Sequence, residues 1–246
     1  MANKLYDETA IVAIADAIRA KTGTTTAVYK VSDMANAIAN IPTKDDTLLN
    51  SIVGRTVVSA TLDTATKIGS YAFAYCTNLV NASFPKCTNV GPYAFRYCSS
   101  LTTVSFPTCT VISSYAFNGC TTMTTAYFPK CITVGSYAFS NCLSLSSAVF
   151  TNCSTIYVGA FGYCKSLKMI KLPYCKSIYN NAFYYCTSLS SVYLGGSTVP
   201  SLPNSSAFIG TPIASKSGKI YIPSSLYSKY LASTNWAYFS ACFVSY

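Results

Sequence analysis

The chain repeats one short motif at a fixed interval of 22 residues. The first copy reads SYAFAYC (70–76), and the alanine of each copy falls at residue 72, 94, 116, 138, 160 or 182. A constant period between 20 and 50 residues is typical of solenoid proteins, in which each repeat stacks on its neighbours. The spacing therefore predicts a solenoid of about six to seven coils.

Aligning the copies gives the consensus I-x-S-Y-A-F-x-x-C-x-x-L-x-x-V-x-F-P-x-C-x-x. Apolar residues alternate with polar ones around the V-x-F part of the consensus, which predicts a short strand with one buried face. Proline follows at residues 85, 107, 129 and 173 and is expected to end the strand. A degenerate first coil begins at Val57, with Ala65 in the place of a cysteine.

Eleven of the twelve cysteines also follow the 22-residue period. They form two series, Cys76, Cys98, Cys120, Cys142, Cys164 and Cys186, and Cys87, Cys109, Cys131, Cys153 and Cys175. Zinc sites usually contain CxxC pairs or histidines, and the chain has neither. Adjacent coils stack about 4.8 Å apart, whereas bridged Cβ atoms prefer about 3.8 Å. We therefore expect two ladders of reduced, buried thiols, and a reducing compartment.

The motif A-F-x-x-C-x-x-L-x-x-V-x-F-P resembles the BspA-like class of bacterial leucine-rich repeats. This resemblance implies one strand per coil, joined into a parallel sheet along one side of the solenoid. We expect the solenoid over 57–212 and a C-terminal cap over 213–246. In the cap, KIYI (219–222) predicts a strand, and a helix is expected from Ser224 to Asn235-Trp236.

The first 43 residues follow a helical pattern. Ile11, Ile14, Ala15 and Ile18 recur at helical spacing, so we expect a small helical module at 1–43 and a linker at 44–56. The pattern IADAIRAKTG…VSDMANAIANI resembles an N-terminal module of phage and prophage tail-associated proteins. Two short amphipathic helices bury little surface alone. They are expected to pack on the first coil or on another chain, which would give a homo-oligomer or a particle.

The residue inventory argues against catalysis. The chain has no histidine to activate a serine or cysteine nucleophile. All seven acidic residues lie at or before Asp63, so the repeats have no carboxylate pair for glycoside hydrolysis or for a hard cation. There is no phosphate-binding glycine-rich motif. We therefore predict a protein that is not an enzyme and has no cofactor or metal site.

Charge and composition indicate the kind of partner. Eleven lysines and arginines and no acid follow Asp63, within a total net charge of +10. This favours a protein or an anionic cell-surface polymer as partner. Nucleic acid is disfavoured because Arg96 is the only arginine after Asp63 and no nucleic-acid-binding motif is present. No apolar run is long enough for a transmembrane helix.

The outward positions of the predicted strands vary while the buried positions repeat. Early coils carry small hydroxylated residues, and later coils carry larger ones. The candidate ligand-binding residues are Tyr127, Met169, Lys171 and Tyr193, together with Lys165, Lys168 and Lys176 from the lysine-rich coil. Tyrosine and serine together are typical of paratopes.

Our leading prediction is a non-catalytic binding or structural protein of a phage or prophage particle, whose repeat surface binds a host cell-surface component. The alternatives are a bacterial BspA-like surface adhesin and an intracellular protein-binding scaffold. The N-terminus shows no signal-peptide pattern. We therefore expect cytoplasmic synthesis with the virion as destination, or the cell surface under the adhesin alternative.

Overall fold

A computed structural model of the protein describes residues 55–246. The predicted helical module (1–43), and all but the last two residues of the predicted linker (44–56), lie outside the described residues. From Val57 onward the chain winds into stacked coils joined by parallel strands. The predicted leucine-rich-repeat solenoid is confirmed.

One strand in each coil is formed by the alternating segment of the consensus. These strands build two parallel sheets in coil order. The N-terminal sheet contains β1 (Ser59–Thr61), β3 (Asn81–Ser83) and β5 (Thr103–Ser105). The C-terminal sheet contains β7 (Thr125–Tyr127), β9 (Ser147–Val149), β11 (Met169–Leu172), β13 (Ser191–Leu194), β14 (Lys219–Ile222) and β15 (Phe243–Ser245). The predicted strand at 219–222 is therefore confirmed.

A second, two-residue strand in each coil was not predicted. These strands form a six-stranded parallel sheet, here called the side sheet. It contains β2 (Lys67–Ile68), β4 (Asn89–Val90), β6 (Val111–Ile112), β8 (Thr133–Val134), β10 (Thr155–Ile156) and β12 (Ser177–Ile178). The Ile or Val of each pair is buried and the residue before it faces outward. Two residues are too short for alternation to be recognised in the sequence.

Stacked phenylalanines form the centre of the solenoid. The ring of the Ala-Phe motif packs face to face on its equivalent in the next coil, with 5.0 Å between the centroids of Phe73 and Phe95 and 5.3 Å between those of Phe139 and Phe161. A second column, Phe84, Phe106, Phe128 and Phe150, stacks beside it. All these rings are fully buried or nearly so. Side chains that repeat every 22 residues therefore pack on copies of themselves.

The C-terminal end departs from the 22-residue period. Ser191 of β13 pairs with Lys219 of β14, 28 residues later, and Ile220 pairs with Phe243 of β15. A 3-10 helix (Ser205–Phe208) lies in the longer connection, and Phe208 extends the phenylalanine column beyond Phe183.

The prediction of a single helix from Ser224 to Asn235-Trp236 was wrong in its extent. This segment is divided into a 3-10 helix (Ser224–Leu226), α1 (Tyr227–Ala232) and α2 (Thr234–Ala237), and a further 3-10 helix (Ser240–Cys242) leads into β15. Ser233 between α1 and α2 adopts an extended conformation, with ψ of 113°. This break lets Trp236 of α2 turn inward against Phe208 and Tyr230.

Candidate binding face

The outward residues of the C-terminal sheet form two parallel columns. The first runs through Tyr127, Val149, Lys171, Tyr193 and Tyr221, which are paired in register from β7 to β14. Tyr127 is 59% exposed, which is unusual for so large an aromatic side chain. Because strand side chains alternate between faces, all of these residues point away from the phenylalanine core.

The second column lies two residues earlier on each strand. It contains Thr125, Ser147, Met169, Ser191 and Lys219. Met169 is 40% exposed although it is apolar. We call the two columns together the outer face of the C-terminal sheet.

The later part of the outer face is ordered by aromatic stacking. The rings of Tyr193 and Tyr221 lie 4.2 Å apart at an angle of 4°. The Nζ of Lys171 lies 5.5 Å from the centroid of the Tyr193 ring. Lys171 and Tyr221 belong to the strands on either side of β13, so they cover opposite faces of that ring.

The ionisation of Tyr193 follows from this packing. Desolvation raises the pKa of its phenol, and the hydrogen bond and proximity to Tyr221 add to the effect. The phenol of Tyr193 therefore stays neutral at physiological pH.

A cleft of about 450 Å³ opens beside this stack at the carboxyl ends of the strands. Its lining is mostly apolar and consists of Val149, Thr151, Lys171, Pro173, Tyr193, Gly195, Tyr221 and Tyr246. Gly195 lets Tyr246 and Pro173 approach the bottom of the cleft closely. A Cβ at this position would lie 3.1 Å from the Tyr246 hydroxyl and 3.3 Å from the Pro173 Cα.

Tyr246 forms one wall of the cleft and is held at three points. Its hydroxyl donates to the carbonyl of Leu194 at 3.3 Å, and its backbone N–H donates to the carbonyl of Ile222 at 3.1 Å. Its own carbonyl accepts from the Ser224 N–H at 2.9 Å. These bonds fix the wall relative to the stacked tyrosines.

The structure brings together four of the seven predicted binding residues. Tyr127, Met169, Lys171 and Tyr193 lie on the outer face of the C-terminal sheet. Lys165 and Lys168 are exposed in the turn before β11, whereas Lys176 is exposed immediately before β12 of the side sheet. The lysine-rich coil therefore distributes its charges around the solenoid.

Sequence reasoning missed Lys219, Tyr221 and Tyr246. The first two extend the outward columns after a 28-residue step, which a search at 22 residues cannot find. The alternation in KIYI was a usable signal, since it already placed Lys219 and Tyr221 on one face. Nothing in the sequence indicated that Tyr246 reaches back to β13.

The cysteine series are buried and free of disulfides. From Cys98 to Cys186, each thiol of the first series donates to the carbonyl of the phenylalanine 25 residues earlier, as Cys142 does to Phe117 at 3.2 Å. In the second series each thiol donates to the carbonyl two residues later, as Cys109 does to Val111 at 3.3 Å. The thiols in both series thus donate hydrogen bonds to backbone carbonyls.

Burial suppresses the reactivity of these thiols. It raises the pKa of Cys142 and of Cys153 to about 12. The thiolate is the nucleophile and the metal ligand, and it is nearly absent at neutral pH at such positions. Within residues 55–246 there is also no group of three or more His, Cys, Asp or Glu that could hold a metal ion.

No helix among residues 55–246 is long and apolar enough to cross a membrane.

The repeat sequence matches a known family. The BspA type leucine rich repeat region matches residues 57–168 and 88–214, in six copies. The chain belongs to this family of bacterial leucine-rich repeat proteins, whose members typically bind other molecules and are not enzymes. No curated protein matches the chain.

Several solved structures are similar to the described solenoid. The leucine-rich repeat protein of T. pallidum is 21% identical, with a TM-score of 0.53 over 64% of this chain and 78% of that chain. A leucine-rich repeat protein from Bacteroides ovatus is 21% identical, with a TM-score of 0.46 over 68% of this chain and 52% of that chain. A leucine rich cell surface protein from Faecalibacterium prausnitzii is 25% identical, with a TM-score of 0.44 over 60% of this chain and 41% of that chain. The chain thus spans about half or less of the length of the last two.

Proposed function

We propose that this chain is a non-catalytic, adhesin-like binding protein that recognises a protein partner through the outer face of its C-terminal sheet. The observation that carries the proposal is the column of Tyr127, Val149, Lys171, Tyr193 and Tyr221, which is aligned strand by strand and directed away from the core. The cleft beside it gives the face a concave feature in which a partner can anchor.

The chemistry of the face supports binding. Tyrosine provides a large amphipathic contact area at low cost in conformational entropy, and the Tyr193–Tyr221 stack restricts those side chains before a partner arrives. Methionine and tyrosine are enriched where proteins meet, and exposed apolar surface of this kind marks interaction sites. The core explains the phenylalanines and cysteines of the repeat, but it requires neither Tyr127 nor Met169.

The adhesin-like role is favoured over the particle role. The match to the BspA-type repeats covers the solenoid itself, whereas the resemblance to phage and prophage proteins lies in residues 1–43. The phage-particle role and the intracellular scaffold stay predictions. So does the division of the chain into 1–43, 44–56, 57–212 and 213–246. Lys165, Lys168 and Lys176 stay candidates for secondary contacts around the solenoid.

The test compares two pairs of stacked tyrosines in full-length protein. Wild type and a Tyr193→Ser/Tyr221→Ser variant are passed over immobilised host-matrix proteins, bacterial surface proteins and anionic cell-wall polymers, and affinity is measured by surface plasmon resonance. The matched control is Tyr157→Ser/Tyr179→Ser, because those rings also stack, at 5.1 Å, but follow strands of the side sheet.

We expect binding to one or more of the immobilised proteins, weakened at least tenfold in the first variant and unchanged in the control. Loss of two anchoring tyrosines at the centre of an interface typically has an effect of this size. Equal affinity of wild type and the first variant, or absence of binding to every surface in the panel, would contradict the proposal.

A further inference from the structure

We infer that the cleft takes an apolar side chain of the partner, and that this anchor is flanked in the partner by carboxylates. This inference rests on the proposed function and adds the chemistry of the recognised segment. The cleft, the position of Lys171 and Lys219, and the distribution of charge along the chain support it independently of the partner's identity.

The shape and lining of the cleft define the anchor. Its walls are the Tyr193–Tyr221 stack and Tyr246, and its floor is Pro173 and Gly195. A volume of about 450 Å³ accommodates one large aromatic or aliphatic side chain with part of its backbone. The apolar lining favours an anchor such as phenylalanine or leucine, which is desolvated on entry.

The available polar groups disfavour a saccharide as the occupant. The cleft lining contains no Asp, Glu, Asn, Gln or Arg to bond a set of sugar hydroxyls, and it offers chiefly Thr151, Lys171 and tyrosine hydroxyls. Both faces of the Tyr193 ring are covered, by Lys171 and by Tyr221, so that ring cannot stack on a sugar. A peptide segment needs neither feature.

Charge complementarity defines the residues beside the anchor. Lys171 lies in the cleft wall, and Lys219 lies two strands away in the second outward column. Strand spacing of about 4.8 Å, together with a two-residue offset along the strand, places their Cα atoms roughly 12 Å apart. Lys171 lies beside Tyr193 on the neighbouring strand, and Lys219 lies two residues before Tyr221 on β14. No acidic residue follows Asp63 in the chain, so the repeats supply no carboxylate to compete for these ammonium groups. Carboxylates on both sides of an apolar anchor would pair with them.

The experiment uses the full chain and three fluorescent seven-residue peptides. The first has a central phenylalanine with three glutamates on each side, the second replaces the glutamates with lysines, and the third replaces the phenylalanine with alanine. Fluorescence anisotropy gives the dissociation constant of each. The peptides are measured against wild type, Lys171→Glu/Lys219→Glu, and the control Lys67→Glu/Lys86→Glu, which makes the same charge change at exposed lysines outside the outer face.

We expect the Glu-Phe peptide to bind wild type and the control at least tenfold more tightly than either other peptide. The Lys171→Glu/Lys219→Glu variant is expected to lose this preference and to favour the lysine-flanked peptide. Equal affinity for the alanine peptide would overturn the anchor, and equal affinity for the lysine-flanked peptide would overturn the charge pairing.

Failure of this inference is distinguishable from failure of the proposed function. If no peptide binds, while Tyr193→Ser/Tyr221→Ser weakens binding to a partner in the panel at least tenfold, the outer face binds but the inferred partner chemistry is wrong. If no peptide binds and that variant also binds the partner with wild-type affinity, both the inference and the proposed function are wrong.

Discussion

Two columns of tyrosine in the coil turns adopt a backbone conformation that usually favours glycine or asparagine. Tyr71, Tyr93, Tyr115 and Tyr137 have φ between 56° and 61°. The left-handed conformation costs an L-residue about 1–2 kcal/mol. Stacking offsets this cost, because neighbouring rings lie 4.7–4.9 Å apart. Later coils have Gly159 and Asn181 at this position, also with positive φ.

Gly159 and Asn181 therefore preserve the backbone conformation of the turn. Asparagine and glycine tolerate the left-handed conformation without needing a stacked ring. The sequence alone shows a loss of tyrosine after Tyr137, and the structure shows that the turn itself is retained. A second column follows the same rule, with Gly119 and Asn141 between Tyr97 and Tyr163.

The buried thiols predict a stability that falls at alkaline pH. Burial raises the pKa of Cys109 and of Cys142 to about 12, above the ordinary value near 9 in the unfolded chain. The stabilising effect of these protonated thiols is complete below pH 9 and is lost as pH rises from about 9 to 12. Each thiol that ionises only on unfolding adds about 1.4 kcal/mol per pH unit to the fall.

Urea unfolding followed by circular dichroism between pH 7 and 11 measures this slope. We expect a free energy of unfolding that is nearly flat to pH 8.5 and falls steeply above it. The Cys142→Ala variant should show a shallower fall, because one titrating thiol is removed. A slope unchanged in that variant would show that Cys142 does not ionise on unfolding.

At the scale of elements, the C-terminal helices close the phenylalanine column. Trp236 is fully buried, packs against Phe208, and donates its Nε1–H to the carbonyl of Pro200 at 2.7 Å. Asn235 donates its side-chain amide to the carbonyl of Leu202 at 2.8 Å. The cap thereby satisfies backbone carbonyls of the preceding loop.

The Trp236→Phe substitution tests this cap. It keeps an aromatic ring but leaves the buried Pro200 carbonyl without its donor, so we expect a loss of about 1–3 kcal/mol. Tyr238→Phe is the matched control, since Tyr238 is 54% exposed and keeps its ring; it should change stability by less than about 0.5 kcal/mol. Urea midpoints from circular dichroism compare the two, and equal midpoints would contradict the proposed role of the Trp236 hydrogen bond.

Among the elements that follow the 22-residue period, the strands of the V-x-F segment were predictable from the sequence, whereas the two-residue strands of the side sheet were not. The strand from Asn81 to Ser83 and its successors could be placed because buried and outward residues recur in every coil. The register of β14 could not, because the connection after Leu194 is longer and no repeat fixes its length. The wall at Tyr246 depends on β15, whose sequence FVS (243–245) matches no other strand among residues 55–246.

In the molecule as a whole, the residues that stabilise the solenoid are different from those of the proposed binding face. The core repeats phenylalanine, leucine and cysteine in fixed columns, so the outward positions are free to differ from coil to coil. The early coils present Thr, Ser and Asn on the N-terminal sheet, while aromatic and basic residues gather on the C-terminal sheet. The proposed binding face is thus confined to one end of an otherwise uniform scaffold.

A bulky group attached to the outer face should block binding if that face is the binding surface. The native cysteines are buried, so a cysteine introduced at an exposed position can be labelled selectively with a polyethylene-glycol maleimide. Met169→Cys places the label on the outer face, and Lys67→Cys places the same label on the side sheet.

Binding of both labelled proteins to a partner from the immobilised panel is then measured by surface plasmon resonance. We expect the label at residue 169 to abolish binding. We expect the protein labelled at residue 67 to bind with the same affinity as the unlabelled protein. Undiminished binding with the label at residue 169 would contradict the assignment of the outer face as the binding surface.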